Sequence, residues 1–94
     1  MNLLHFGTSC GFTKRIYADN AATTKPCEAA IKAATACMTD GYGNPSSLHT
    51  EGRQAAELLA AARETVAECI GADAKEIYFT SGGSEANKQA ILSV

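Results

Sequence analysis

Apolar positions recur along this chain in two rhythms, and the change from one to the other marks its elements. From Pro26 onward, Cys27, Ile31, Ala34 and Met38 follow at i, i+4, i+7 and i+11, the spacing that lines one face of a helix. Proline suits the first turn, where its missing N–H would be unpaired anyway. Asp40-Gly41 ends the pattern, with glycine suited to the left-handed position beyond a helix. The spacing predicts a helix over about 26–40. A longer helix follows over about 47–70, with Ala55, Leu59, Ala62, Val66 and Cys69 or Ile70 as a narrow, alanine-rich stripe. Glu51, Arg53, Glu57, Arg63, Glu64 and Glu68 lie mostly off it. Ser46 or Ser47 is placed to cap this helix and Gly71 to stop it.

The rhythm then shortens. Glu76-Ile77-Tyr78-Phe79-Thr80 is apolar on both parities, which predicts a strand over 76–80 covered on two faces, as in a parallel sheet. It runs directly into Ser81-Gly82-Gly83-Ser84 and a further helix from about 84. Upstream, Ile16-Tyr17-Ala18 is a brief β-favouring run stopped by Asp19-Asn20, a short extended segment or minor strand. Residues 1–15 keep no period and read as a loose N-terminal extension. Tyr42-Gly43-Asn44-Pro45-Ser46-Ser47 is loop chemistry throughout. The expected fold class is α/β: an extended entry, two helices, one strand and the start of a third helix.

Composition narrows the function. With 94 residues and 46% of them apolar, the chain fits one globular domain. Eight Lys+Arg against 10 Asp+Glu give a net charge of -2, which supplies no basic footprint for nucleic acid and no cationic face for a membrane. No apolar stretch approaches the roughly 20 residues that span a bilayer. Cysteines stand at 10, 27, 37 and 69 without a C-x-x-C pair, and neither His5 nor His49 completes a zinc-ligand spacing, so no metal site is expected. The first residues lack a secretory pattern. Reduced thiols in a cytoplasmic protein follow, with Cys27, Cys37 and Cys69 as small, partly buried side chains.

The join of strand, glycine turn and helix carries the clearest chemistry. A helix start exposes unpaired N–H groups and the positive end of the macrodipole. Glycines before it let an anion reach the backbone without meeting a Cβ, and Ser84 adds a hydroxyl donor. The spacing is neither the G-K-[ST] phosphate loop nor G-x-G-x-x-G. The plainer alternative is that Ser81 caps the helix and the glycines merely turn the chain. Glu85 suits a first turn with or without a ligand, although its carboxylate competes for the same dipole. Asp19-Asn20-Ala21-Ala22-Thr23-Thr24 suits a loop lying close to a ligand, or equally a tight connection bonded to its own backbone. His49 is either a ligand contact or a local hydrogen-bonding residue at a helix start.

Set side by side, four segments carry a resemblance: IYADNAATTKP at 16–26, GYGNPSSLH at 41–49, EGRQAAELLAAARETVAECIGADAKEIYFTSG, and GGSEANKQAI at 82–91. Their order and spacing resemble the N-terminal part of the NifS/IscS-type cysteine desulfurases, of the class V aminotransferase family, over Ile16 to Val94. The resemblance implies a homodimeric, pyridoxal-phosphate-dependent enzyme of fold type I. Such enzymes take sulfur from L-cysteine, release L-alanine, and leave a persulfide on a mobile-loop cysteine for an acceptor such as an iron–sulfur scaffold. It implies that Gly83 and Ser84 bind the cofactor phosphate, serine keeping the hydroxyl of the family's commoner threonine. Asn20, Ala21 and Ala22 are then substrate-proximal.

The family's cofactor-bearing lysine, its aspartate under the pyridine ring, stacking histidine, carboxylate-binding arginine and persulfide cysteine match no residue here, so no catalytic residue is assigned. Residues 16–94 are expected to be a truncated N-terminal part of the class V domain, inactive by itself. Two alternatives stay open: a non-catalytic remnant binding at most an anion or a related subunit, and a fragment of another class V enzyme.

Overall fold

The computed structural model describes residues 14–94, and the N-terminal extension falls outside them up to residue 13. Lys14 and Arg15 are in neither helix nor strand. The chain forms two compact units, one ending at Ala33 and the other running from Ala34 to Val94.

In the first unit, Ile16–Ala18 forms no strand; a turn at Asn20–Ala22 follows it. The Asp19 carbonyl accepts from the N–H groups of Ala22 and Thr23 at 3.1 and 3.4 Å. The Tyr17 hydroxyl stands 2.9 Å from the carbonyl oxygens of both Asp19 and Thr23, one proton shared between them.

Helix α1 spans Glu28–Thr39. Its first bond runs from Ile31 N–H to the Cys27 carbonyl at 3.0 Å, so Pro26 lies just before the helix rather than in its first turn. Glu28 sits there instead and complements the dipole. No residue of α1 is buried: Ile31 and Met38, on the expected apolar stripe, are 48% and 70% exposed. Gly41 receives the end of the helix without a positive φ, since Gly71 is the one glycine with a positive φ among the described residues. Its reason is space: a Cβ on Gly41 would stand 2.9 Å from Leu58 Cδ1.

Helix α2 spans Thr50–Ile70. Its N-cap is His49, whose Nδ1 accepts from Gly52 N–H at 3.3 Å, and not Ser46 or Ser47. Those serines belong to the preceding turn, where Asn44 accepts from Ser46 N–H through its side chain and from Ser47 N–H through its carbonyl, both at 2.9 Å. At the far end Gly71 adopts φ 69, ψ 35, as expected of a helix-stopping glycine. Its N–H reaches Glu68 O and that of Ala72 reaches Ala67 O, the paired bonds of a Schellman motif.

The segment expected to be a strand is not one. Ala74–Glu76 makes a 3-10 turn, closed by Asp73 N–H on the Glu76 carboxylate at 2.8 Å, and Ile77 is extended at φ -95, ψ 123. Residues 77–80 carry no ladder, because a strand is defined by a partner and the described residues supply none. Helix α3 then spans Gly83–Leu92.

Packing in the second unit centres on α2 and the 3-10 turn. The buried apolar residues described are Ala55, Ala67 and Ile77. The covered face of α2 runs through Gly52, Ala55, half-buried Arg63 and Ala67, one position round from the Ala62–Val66 stripe expected from sequence. Arg63 joins that face by donating through Nη1 to the Ile77 carbonyl and lying over the Phe79 ring, 5.0 Å from its centroid. Cys27, Cys37 and Cys69 are exposed rather than partly buried, because nothing described covers the faces that bear them.

Candidate anion-binding site

Gly82 is the N-cap of α3, and Gly83, Ser84 and Glu85 form its first turn. Gly82 offers no side chain to the orphan donors, and the first helical bond comes from Ala86 N–H to the Gly82 carbonyl at 3.1 Å. Among the described residues, nothing accepts from the N–H groups of Gly83, Ser84 or Glu85. The Ser84 side chain is exposed beside them. Three convergent amides and a hydroxyl at the positive end of a helix suit a compact oxyanion.

Ser81 does not cap the helix. Its N–H and its hydroxyl both donate to Glu85 Oε2, at 2.9 and 2.5 Å. This resembles a capping box displaced by one residue. These bonds, the hydroxyl's first, hold the Glu85 carboxyl below its ordinary value. They also tether to Ser81 the carboxylate that would otherwise compete for the amides. On the other side of the turn, Thr80 Oγ1 donates to the Gly82 carbonyl at 3.1 Å.

The two glycines are not required by the chain around them. Gly82 has φ 170, extended backbone open to any residue, and Gly83 is an ordinary helical position. A Cβ built on either meets nothing within 4 Å. Elsewhere the fold does demand glycine: a Cβ at Gly43 would stand 2.3 Å from Glu51 O, and one at Gly52 2.2 Å from Ser47 O. The open space over Gly82 and Gly83 fits a phosphate monoester approaching the free amides.

The other expected residues are placed differently. Asn20, Ala21 and Ala22 form the exposed turn of the first unit, closed by backbone bonds to Asp19. His49 is a local hydrogen-bonding residue. Its Nδ1 lies 3.2 Å from Glu51 Oε2 as well as accepting from Gly52, and one nitrogen serves the cap when unprotonated or the ion pair when protonated. Arg63 went unrecognised because a cation on a helix bearing many charges reads as solvated; no periodicity marks it. Among the described residues no cluster of side chains could hold a metal ion, and no helix is long and apolar enough to cross a membrane.

Comparison with known proteins sets this turn in context. A cysteine desulfurase of Cereibacter sphaeroides is 52% identical over 81 residues, 85% of this chain and 21% of that protein. A cysteine desulfurase of Trichormus azollae is 50% identical over 76 residues, 81% of this chain and 19% of its own length. A selenocysteine lyase of Xenopus tropicalis is 43% identical over 79 residues, 84% of this chain and 18% of that protein. The chain thus spans about a fifth of the length of these relatives. No solved structure matches it. The family model "Aminotransferase class-V" matches residues 16–94, which takes in all three helices, the extended segment and the glycine turn: the chain belongs to the class V aminotransferase family.

Proposed function

We propose that this chain is the N-terminal segment of a pyridoxal-phosphate-dependent cysteine desulfurase, a cytoplasmic homodimer acting on L-cysteine and passing its sulfur to an acceptor such as an iron–sulfur scaffold. The observation that carries the reading is the glycine pair at 82 and 83, needed neither for packing nor for backbone angle, in front of three free amides. Gly83 lets phosphate oxygens approach the first turn of α3, and Ser84 contributes an amide and a hydroxyl. Glu85, tethered to Ser81, stays out of the anion's place. Asn20, Ala21 and Ala22 are assigned to the substrate side. When bound, pyridoxal phosphate supplies the electron sink that loosens bonds at the substrate α-carbon.

The test is cofactor titration of the full-length protein. A hydrogen bond to a charged group contributes roughly 1.5–3 kcal/mol, so Ser84→Ala weakens pyridoxal phosphate binding about tenfold or more. Gly83→Val, which fills the approach to the amides, weakens it further. Unchanged affinity in both variants refutes the assignment.

A further inference from the structure

Segment 77–81, which carries the anion-binding turn, has no ladder among the described residues, yet it is anchored to α2 at two points by a single side chain. The Arg63 guanidinium donates through Nη1 to the Ile77 carbonyl and lies over the Phe79 ring at 5.0 Å. Two residues apart on an extended chain is one repeat of the pleat, so both contacts act on the same stretch and fix its direction as well as its position. From Phe79 onward the connection is local: Thr80 Oγ1 holds the Gly82 carbonyl, and Ser81 is bonded twice to Glu85. The path from α2 to the first turn of α3 is therefore a chain of short, directed contacts that begins at Arg63.

Arg63 is half-buried and forms no ion pair with a carboxylate among the described residues. Desolvating a cation against one carbonyl and one ring costs more than seating a neutral side chain there. Lysine would not reproduce the arrangement, because it lacks the planar fork that bonds in-plane while stacking face-on. We propose that Arg63 is a positioning residue that aims the Gly83–Ser84 turn at the phosphate of the cofactor. The inference rests on the phosphate reading of that turn.

The experiment measures affinity for pyridoxal phosphate and for pyridoxal, which lacks the phosphate, in the full-length protein. The ratio of the two isolates what the turn contributes. R63K keeps the positive charge and loses the fork; it is expected to narrow the ratio about three- to tenfold, the aim of one charge-assisted hydrogen bond, with pyridoxal affinity unchanged. F79L leaves the Ile77 carbonyl contact and narrows the ratio less. A parallel fall in both affinities, which a merely structural role would produce, overturns the proposal. So does an unchanged ratio in R63K, or an F79L effect equal to or larger than that of R63K. A wild-type ratio near one would instead sink the phosphate reading itself, and this inference with it.

Discussion

Replacing Gly52 with alanine sets two effects against each other, and the structure decides between them. Gly52 is in the first turn of α2, and alanine there favours the helix over glycine by about 1 kcal/mol. Against that, the new Cβ would stand 2.2 Å from the Ser47 carbonyl oxygen and 2.7 Å from both its carbonyl carbon and its Cβ, where ordinary contact begins at 3.4 Å. Most of the obstruction is backbone, so the loop and the helix must separate by roughly 1 Å. Overpacking of this kind costs about 1–3 kcal/mol. The same movement carries Gly52 N–H away from His49 Nδ1, and a lost N-cap costs about 1 kcal/mol more. Gly52→Ala should therefore destabilise by about 1–3 kcal/mol, measured as a lower urea midpoint of the full-length protein with unchanged slope. Gly82→Ala is the companion: its Cβ meets nothing and its φ of 170 suits alanine, so its cost is limited to glycine's advantage over alanine at an N-cap, under about 1 kcal/mol. A stabilised Gly52→Ala, or equal losses in both variants, refutes the steric reasoning.

Two further outcomes follow from the helix ends. The folded pKa of Glu85 lies below its ordinary 4.5, so the Ser81–Glu85 contact stabilises fully above that value and is lost as pH falls through the lowered one. Glu85→Gln should flatten the stability–pH curve below about 4.5, and identical acid limbs for the two proteins contradict it. Gly71→Ala places a Cβ at φ 69 in open space, so its cost is conformational alone, about 1 kcal/mol; an unchanged urea midpoint counts against the left-handed stop.

Local features were legible in the sequence and relational ones were not. The three helices rest on bonds four residues apart, and Gly71 and the Gly82–Gly83 turn act on their own neighbours; pattern alone reached these. Their caps were harder. His49 supplies an acceptor from a residue type that rarely announces an N-cap, and it displaces the start of α2 from Ser47 to Thr50. The rotation of the buried face toward Arg63 and Ala67 depends on which side of α2 receives the 3-10 turn. That is a contact between residues far apart in sequence, and no window along one helix contains it. At the candidate site the glycines could be read directly, while the Ser81–Glu85 tether could not: serine before a helix predicts a cap, and only the geometry shows its hydroxyl turned toward Glu85.

The segment 76–80 is the sharpest case, because its sequence and its conformation describe different surroundings. Apolar residues on both parities encode a strand covered on two faces. Ile77 is buried, yet Tyr78 is 70% and Phe79 49% exposed, and a groove of about 470 Å³ opens along Tyr78, Thr80, Ala86, Gln89 and Ala90. Ile91 and Leu92 on α3 are 74% and 72% exposed as well. A lone extended segment cannot hold such a composition in place by hydrogen bonds, since a ladder needs a second strand. What holds it here is a side chain: Arg63 takes the Ile77 carbonyl, one of the acceptors a neighbouring strand would otherwise use, and its guanidinium covers the Phe79 ring. Among the described residues, the segment leading to the glycine turn is tied to α2 through Arg63. If Arg63 has the positioning role proposed above, the aim of that turn depends on the cation that holds this extended segment.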